Sequence, residues 1–167
     1  MMAEGTPRLL SFPTVQERRD ASLWTRIHPV FAISQLGVFV VSVALLALFA
    51  LHVVPFTVVY LTVLLKIALM IGAIVTGALW EHDVFGEWWF AEEFFVEDVM
   101  TINVFLLHVG AVVFYFAQPG NLGAVAGLLV FAYVIYAINV AQYIIQHGSA
   151  RKPAAANPAS ASTDVAA

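Results

Sequence analysis

The stretch Trp80–His108, WEHDVFGEWWFAEEFFVEDVMTINVFLLH, decides the fold. Its first nineteen residues hold seven carboxylates, Glu81, Asp83, Glu87, Glu92, Glu93, Glu97 and Asp98, with no Lys or Arg among them. On either side the sequence turns apolar for lengths that match a bilayer. The acids therefore form a loop between two membrane spans and are held at a membrane surface. Like charges packed that closely repel, and repulsion with partial desolvation favours the protonated carboxyl. A group of acids kept partly protonated near neutral pH is what a proton-donating site needs.

Composition supports the membrane reading. The chain of 167 residues is 62% hydrophobic, with a mean hydropathy of +0.90, whereas soluble domains are roughly 45–50% apolar. A transmembrane helix needs about 20 predominantly apolar residues. Four such spans are expected, over Pro29–Leu51, Phe56–Trp80, Asp98–Ala117 and Leu122–Ile145. His52–Pro55 and Gln118–Asn121 are turns. The fold class is an all-α integral membrane bundle of four transmembrane helices. Gln16–Ile27 (QERRDASLWTRI) is expected to form a short amphipathic helix on the membrane surface, anchored by Trp24. The polar N-terminus is not the pattern of a secretory signal peptide. Arg8, Arg18, Arg19 and Arg26 precede the first span and Arg151 and Lys152 follow the last, so both termini and the acidic loop are expected in the cytoplasm. The chain divides into an N-terminal segment, 1–28, a transmembrane domain, 29–146, with its loop at 81–97, and an Ala/Pro/Ser-rich tail, 147–167, expected to be disordered.

Several function classes are excluded. There are no cysteines, so disulfides, thiolate catalysis, iron–sulfur clusters and Cys-based zinc sites are out. A net charge of −4 with the acids gathered in one loop argues against nucleic acid as a partner. No Glu is followed three residues later by His, as a di-iron carboxylate bundle requires, so no metal site is expected. Counting depth along the spans places Ser34, Gln35, Thr76, Asn103, Asn139 and Gln142 in the half nearest the loop. They would line a pocket under the acids, or bond helix to helix for packing alone. Lys66 falls about 20 Å from the loop end of its span, as a functional charge or a structural lysine. His108 is a candidate tetrapyrrole ligand or proton relay, or an ordinary interior histidine. Phe85, Trp88, Trp89, Phe90, Phe94 and Phe95 suit an interfacial belt, and would also stack on a flat apolar ligand.

One set of residues is more specific. Arg18-Arg19-Asp20-Ala21-Ser22 with Trp24-Thr25, Lys66, Thr76-Gly77-Ala78 with Trp80-Glu81, Val84-Phe85-Gly86, Phe90-Ala91, Phe94-Phe95, Glu97-Asp98-Val99, Leu107-His108 and Asn139-x-Ala141-Gln142 resemble the 2-vinyl bacteriochlorophyllide hydratase family, also called chlorophyllide 3-vinyl hydratases. The resemblance runs from Arg18 to Gln146. It implies addition of water across the C3 vinyl group of a chlorophyllide or bacteriochlorophyllide, giving a 1-hydroxyethyl group. It further implies a multi-pass protein of the bacterial inner, or intracytoplasmic, membrane. No cofactor is implied, and association with other pigment-biosynthesis enzymes is. Such a reaction needs a general acid, a positioned water and a flat apolar slot. Glu81, Glu97 and Asp98 are then the candidate catalytic acids and bases. Candidate substrate contacts are Lys66, Trp80, Phe85, Phe94, Phe95, Asn103, His108, Asn139 and Gln142, with Arg19 (or Arg18 or Arg26) on a pigment carboxylate. Without the resemblance, the hydratase reading would not rank first against a pigment- or haem-binding structural subunit of a photosynthetic or respiratory complex, with His108 and His52 as axial ligands, or an acid-lined proton or cation pathway using Lys66 and the carboxylates.

Overall fold

A computed structural model of the chain describes residues 14–150, with side chains described through residue 145. Among these residues it is all helical, with five helices and no strand: α1 Val15–Ala21, α2 Trp24–Ala50, α3 Phe56–Phe85, α4 Phe95–Ala117 and α5 Leu122–Ala150. Four of them, α2 to α5, are long and apolar enough to cross a membrane. Residues 1–13 and 151–167 lie outside the described residues, most of the tail expected to be disordered over 147–167 among them, while its first four residues, 147–150, belong to α5.

The helices differ from expectation at their ends, and the differences build the site. α3 has 30 residues, or about 45 Å at 1.5 Å per residue, against a hydrocarbon core of about 30 Å. It runs past Trp80 and carries Glu81, His82 and Asp83 on its last turns. Gly86 stops it with φ 84, the left-handed turn that a side chain resists, and donates its N–H to the His82 carbonyl at 3.0 Å. α4 begins three residues before Asp98, so Glu97 and Asp98 lie in its first turn, where the helix dipole favours negative charge. The loop proper is thereby shortened to 86–94.

The surface helix expected over 16–27 is split. Thr14 and Glu17 form a capping box that starts α1: the Thr14 N–H donates to Glu17 at 2.6 Å and the Glu17 N–H donates to Thr14 at 3.2 Å. α1 ends at Ala21 because Ser22 is extended, and its hydroxyl accepts the Trp24 N–H at 3.3 Å. Trp24–Ile27 then belong to α2, which carries Pro29 inside it. The α2–α3 turn closes with the Val53 N–H on the Leu48 carbonyl at 2.9 Å and His52 left-handed at φ 59, a Schellman-type end. Asn121 caps α5 by accepting the Ala124 N–H at 3.2 Å.

α2 packs chiefly on α3, and α4 chiefly on α5. Two hairpins therefore make the bundle, with the acidic loop joining them. Leu46, Val59, Val63, Ala111, Val125 and Leu129 form its main core near the short turns. Met70, Val104 and Tyr136 form a second core nearer the loop. Outward-facing residues such as Ile33, Val40, Leu61, Leu106, Val113 and Phe131 stay exposed, a lipid-compatible surface. α2 and α3 approach so closely at Gly72 that a Cβ there would overlap the Phe31 ring.

Candidate active site

Glu81 and Asp98 meet where α3 leaves and α4 enters the bundle. Their side chains face each other at a largely buried site. Two carboxyls held together away from water favour one proton between them. The loop closes over them. The Phe90 N–H donates to Asp98 Oδ2 at 2.9 Å, and the Ala91 N–H to Glu81 Oε2 at 3.0 Å. Phe90 is left-handed, at φ 61. That twist presents two successive amides to two acids, in the manner of an anion-holding nest. Glu81 is only 3% exposed and Ala91 2%, so the pair sits under a backbone cover. A proton held in so dry a place, between groups of like charge, is available for donation.

An open cleft of about 460 Å³ lies beside this cover, lined by Phe85, Glu87, Ala91, Glu92 and Glu93. Ala91 thus separates the cleft from Glu81. Trp80, Phe85 and Phe94 form a cluster of three rings, with centroids 5.3 to 6.0 Å apart. Arg19 reaches in from α1. Its guanidinium carbon stands 5.5 Å from both the Trp80 and Phe85 rings, and one nitrogen donates to both Glu93 oxygens at 2.9 and 3.0 Å. The acidic run, which holds no Lys or Arg of its own, thus has a basic partner supplied by the N-terminal segment.

That segment makes three further bonds to α3. Ser22 donates to Asp83 at 2.9 Å, Trp80 Nε1 donates to Thr25 at 2.9 Å, and His28 Nδ1 lies 3.1 Å from the Thr76 hydroxyl. Ser22 and Thr25 enter the sequence reading only as part of the family resemblance, with no role of their own, and His28 and the loop amides do not enter it. The Arg–x₂–Ser–x₂–Thr spacing of residues 19–25 is the signal that could have found the docking of this segment on α3.

The other sequence candidates are dispersed. Glu97 is half-buried one position before Asp98. Phe95 is exposed and packs on Phe90, with ring centroids 5.8 Å apart. Trp88 and Trp89 are exposed. Gln35 donates to the Leu69 carbonyl at 3.4 Å, and Thr76 to the Gly72 carbonyl at 2.8 Å. Asn103 is exposed and donates to the Val99 carbonyl of its own helix at 2.8 Å. Ser34 and Asn139 are half-buried and Gln142 is exposed. Lys66 and His108 are fully enclosed in the middle of the bundle, far along α3 and α4 from the loop. His52 lies exposed in the turn at the opposite end.

Four helices long and apolar enough to cross a bilayer, with Glu81 and Asp98 under loop amides beside a cleft lined by Phe85, Ala91 and three glutamates, define a multi-pass membrane protein with an acidic site at one end. The chain belongs to the 2-vinyl bacteriochlorophyllide hydratase family, whose sequence profile matches residues 12–148. No curated protein and no solved structure matches it. Membership marks the chain as a lyase of the hydratase kind in bacteriochlorophyll biosynthesis, with a tetrapyrrole substrate and a lipid setting.

Proposed function

We propose that the protein hydrates the C3 vinyl group of a chlorophyllide-type macrocycle, with the Glu81–Asp98 pair as its acid and base. The observation that carries this reading is the meeting of Glu81 and Asp98 under the Phe90–Ala91 cover, each accepting one of the two loop amides. The vinyl group sits at the cleft with its macrocycle against Phe85, Trp80 and Phe94. Once the Phe90–Ala91 cover lifts from the pair, the shared proton passes to the terminal vinyl carbon, using the π pair to form the new C–H bond. The cation left on the adjacent carbon is spread into the macrocycle. Water attacks that carbon through oxygen, and its surplus proton returns to the carboxylate pair. The sum is one water added and the pair restored. Departure of the proton leaves the pair anionic, facing the cation, which is charge stabilisation placed where the charge develops.

Arg19 binds the free carboxylate of the pigment in this reading, with Glu93 holding its place until substrate arrives. Both Glu93 and Phe85 line the cleft, so a ligand entering it meets the Arg19 guanidinium at once. The loop end faces the cytoplasm of a bacterial inner membrane, following the Lys and Arg distribution.

The test uses membranes containing the protein, a 3-vinyl chlorophyllide and heavy water. The product, returned to ordinary water, should keep one deuterium on its new methyl carbon and carry a hydroxyl whose oxygen comes from solvent. Pigment recovered with its vinyl group intact, from membranes holding folded protein, would sink the reading.

A further inference from the structure

Halfway along the bundle, each long helix turns a polar group into the same enclosed layer. α2 gives Ser42, α3 Lys66, α4 His108 and α5 Tyr133. The first three are 0% exposed and Tyr133 is 4% exposed. Lys66 Nζ, His108 Nε2, Ser42 Oγ and the Tyr133 hydroxyl all lack a hydrogen-bond partner. They are neighbours. The His108 and Tyr133 rings are 5.4 Å apart, and Ser42 lies beside the Tyr133 hydroxyl. The Lys66 ammonium lies 3.6 Å above the Tyr136 ring and 5.4 Å from that of Phe39. Those rings give it cation–π contacts on one side and no hydrogen bond.

Unpartnered polar groups are costly in any protein interior and more so in a bilayer, where no solvent replaces the missing bond. The needs of this set are specific. His108 Nδ1 is 2.7 Å from the Val104 carbonyl. A carbonyl only accepts, so Nδ1 carries the hydrogen and Nε2 of the neutral ring offers a lone pair. Lys66 offers donors only. An occupant must therefore accept from Lys66 and donate to His108. An anion does only the first, and a metal cation is repelled by the ammonium. Water does both.

We propose that Lys66, His108, Ser42 and Tyr133 hold an ordered water cluster at the centre of the bundle, in which water accepts from Lys66 and donates to His108 Nε2. This site stands apart from the loop and does not depend on the hydratase reading. Infrared difference spectra of the purified protein, exchanged between ordinary and oxygen-18 water, test it. The native protein should show an isotope-shifted O–H stretch that is lost in Lys66→Met and His108→Leu. Ser42→Ala, the mildest change, should weaken the band while leaving helix content intact. Thermal unfolding supplies the second measurement. Each of the two larger variants should lower Tm, and the double variant should lose no more than the worse single one, because both remove the same water. A dry site would show no such band and a Tm that rises in Lys66→Met. An anion site would show a Tm that depends on chloride against gluconate at fixed ionic strength in the native protein but not in Lys66→Met. Either result overturns the proposal.

Discussion

Replacing Glu81 with Gln removes the proton while keeping the shape. The amide oxygen can still accept from the Ala91 N–H, now 3.0 Å from Glu81 Oε2, and the amide N–H₂ can still donate to Asp98. At 3% exposure the site has no room for a larger rearrangement, and none is called for. Folding should therefore be little changed. What is lost is general-acid catalysis, worth about 10²–10⁴-fold in rate, or about 2.7–5.5 kcal/mol of barrier at 1.36 kcal/mol per tenfold. The loss should fall on kcat, with KM for the pigment nearly unchanged. Asp98→Asn behaves differently. Its amide can donate to Glu81 and still accept from Phe90, but it steadies the ionised Glu81. The acid form then survives only at lower pH, so the rate–pH profile should move down and activity should recover on acidification, which Glu81→Gln cannot do. The sign is fixed by the chemistry: the donor is the protonated pair, so activity is present at low pH and lost as pH rises. Turnover of 3-vinyl chlorophyllide by membranes across a pH series reads all three proteins. A fully active Glu81→Gln protein, folded and pH-dependent like the native one, refutes the proton-sharing argument.

Arg19→Gln should raise KM for a free-acid pigment by roughly 10–30-fold, the equivalent of about 1.5–2 kcal/mol for a charge-assisted bond. It should leave a methyl-ester pigment unaffected, and steady-state kinetics with the two pigments would expose an error if both suffer alike. Glu93→Gln, which frees Arg19 of its resting partner, should lower KM for the free acid, and an unchanged KM would count against the exchange. Gly86→Ala forces a side chain to φ 84 at a cost of about 1–2 kcal/mol. It should loosen the loop, detected as faster proteolysis between residues 86 and 94. At Gly72, a Cβ meets the Phe31 ring. Gly72→Leu should lower Tm far more than Gly72→Ala, and equal effects would show that α2 and α3 can part freely.

Much of the fold was legible because hydrocarbon thickness constrains sequence so strongly. Residues 122–145 and 56–80 could hardly be anything but spans. Helix ends were less legible. Charged residues after Trp80 look like loop, yet a helix whose end stands clear of the bilayer bears charges at no cost, so α3 runs on to Gly86. The acids Glu81 and Asp98 were identifiable by their place at two converging helix ends. Their meeting was not, because it needs the register of α3 against α4. Depth counting found polar residues at one level but could not tell which way they face. Asn103 turns to its own Val99 carbonyl rather than inward. The amides of Phe90 and Ala91 were invisible, since backbone donors leave no mark in composition.

The two acids belong to different hairpins, Glu81 to α2–α3 and Asp98 to α4–α5, and only loop 86–94 connects these covalently. The proton site is thus a property of neither half. A gene divided within that loop would yield two insertable fragments, each inert, whose catalytic competence would report their reunion. Turnover would then count assembled molecules, making this chain its own reporter for how helical hairpins find each other in a lipid bilayer.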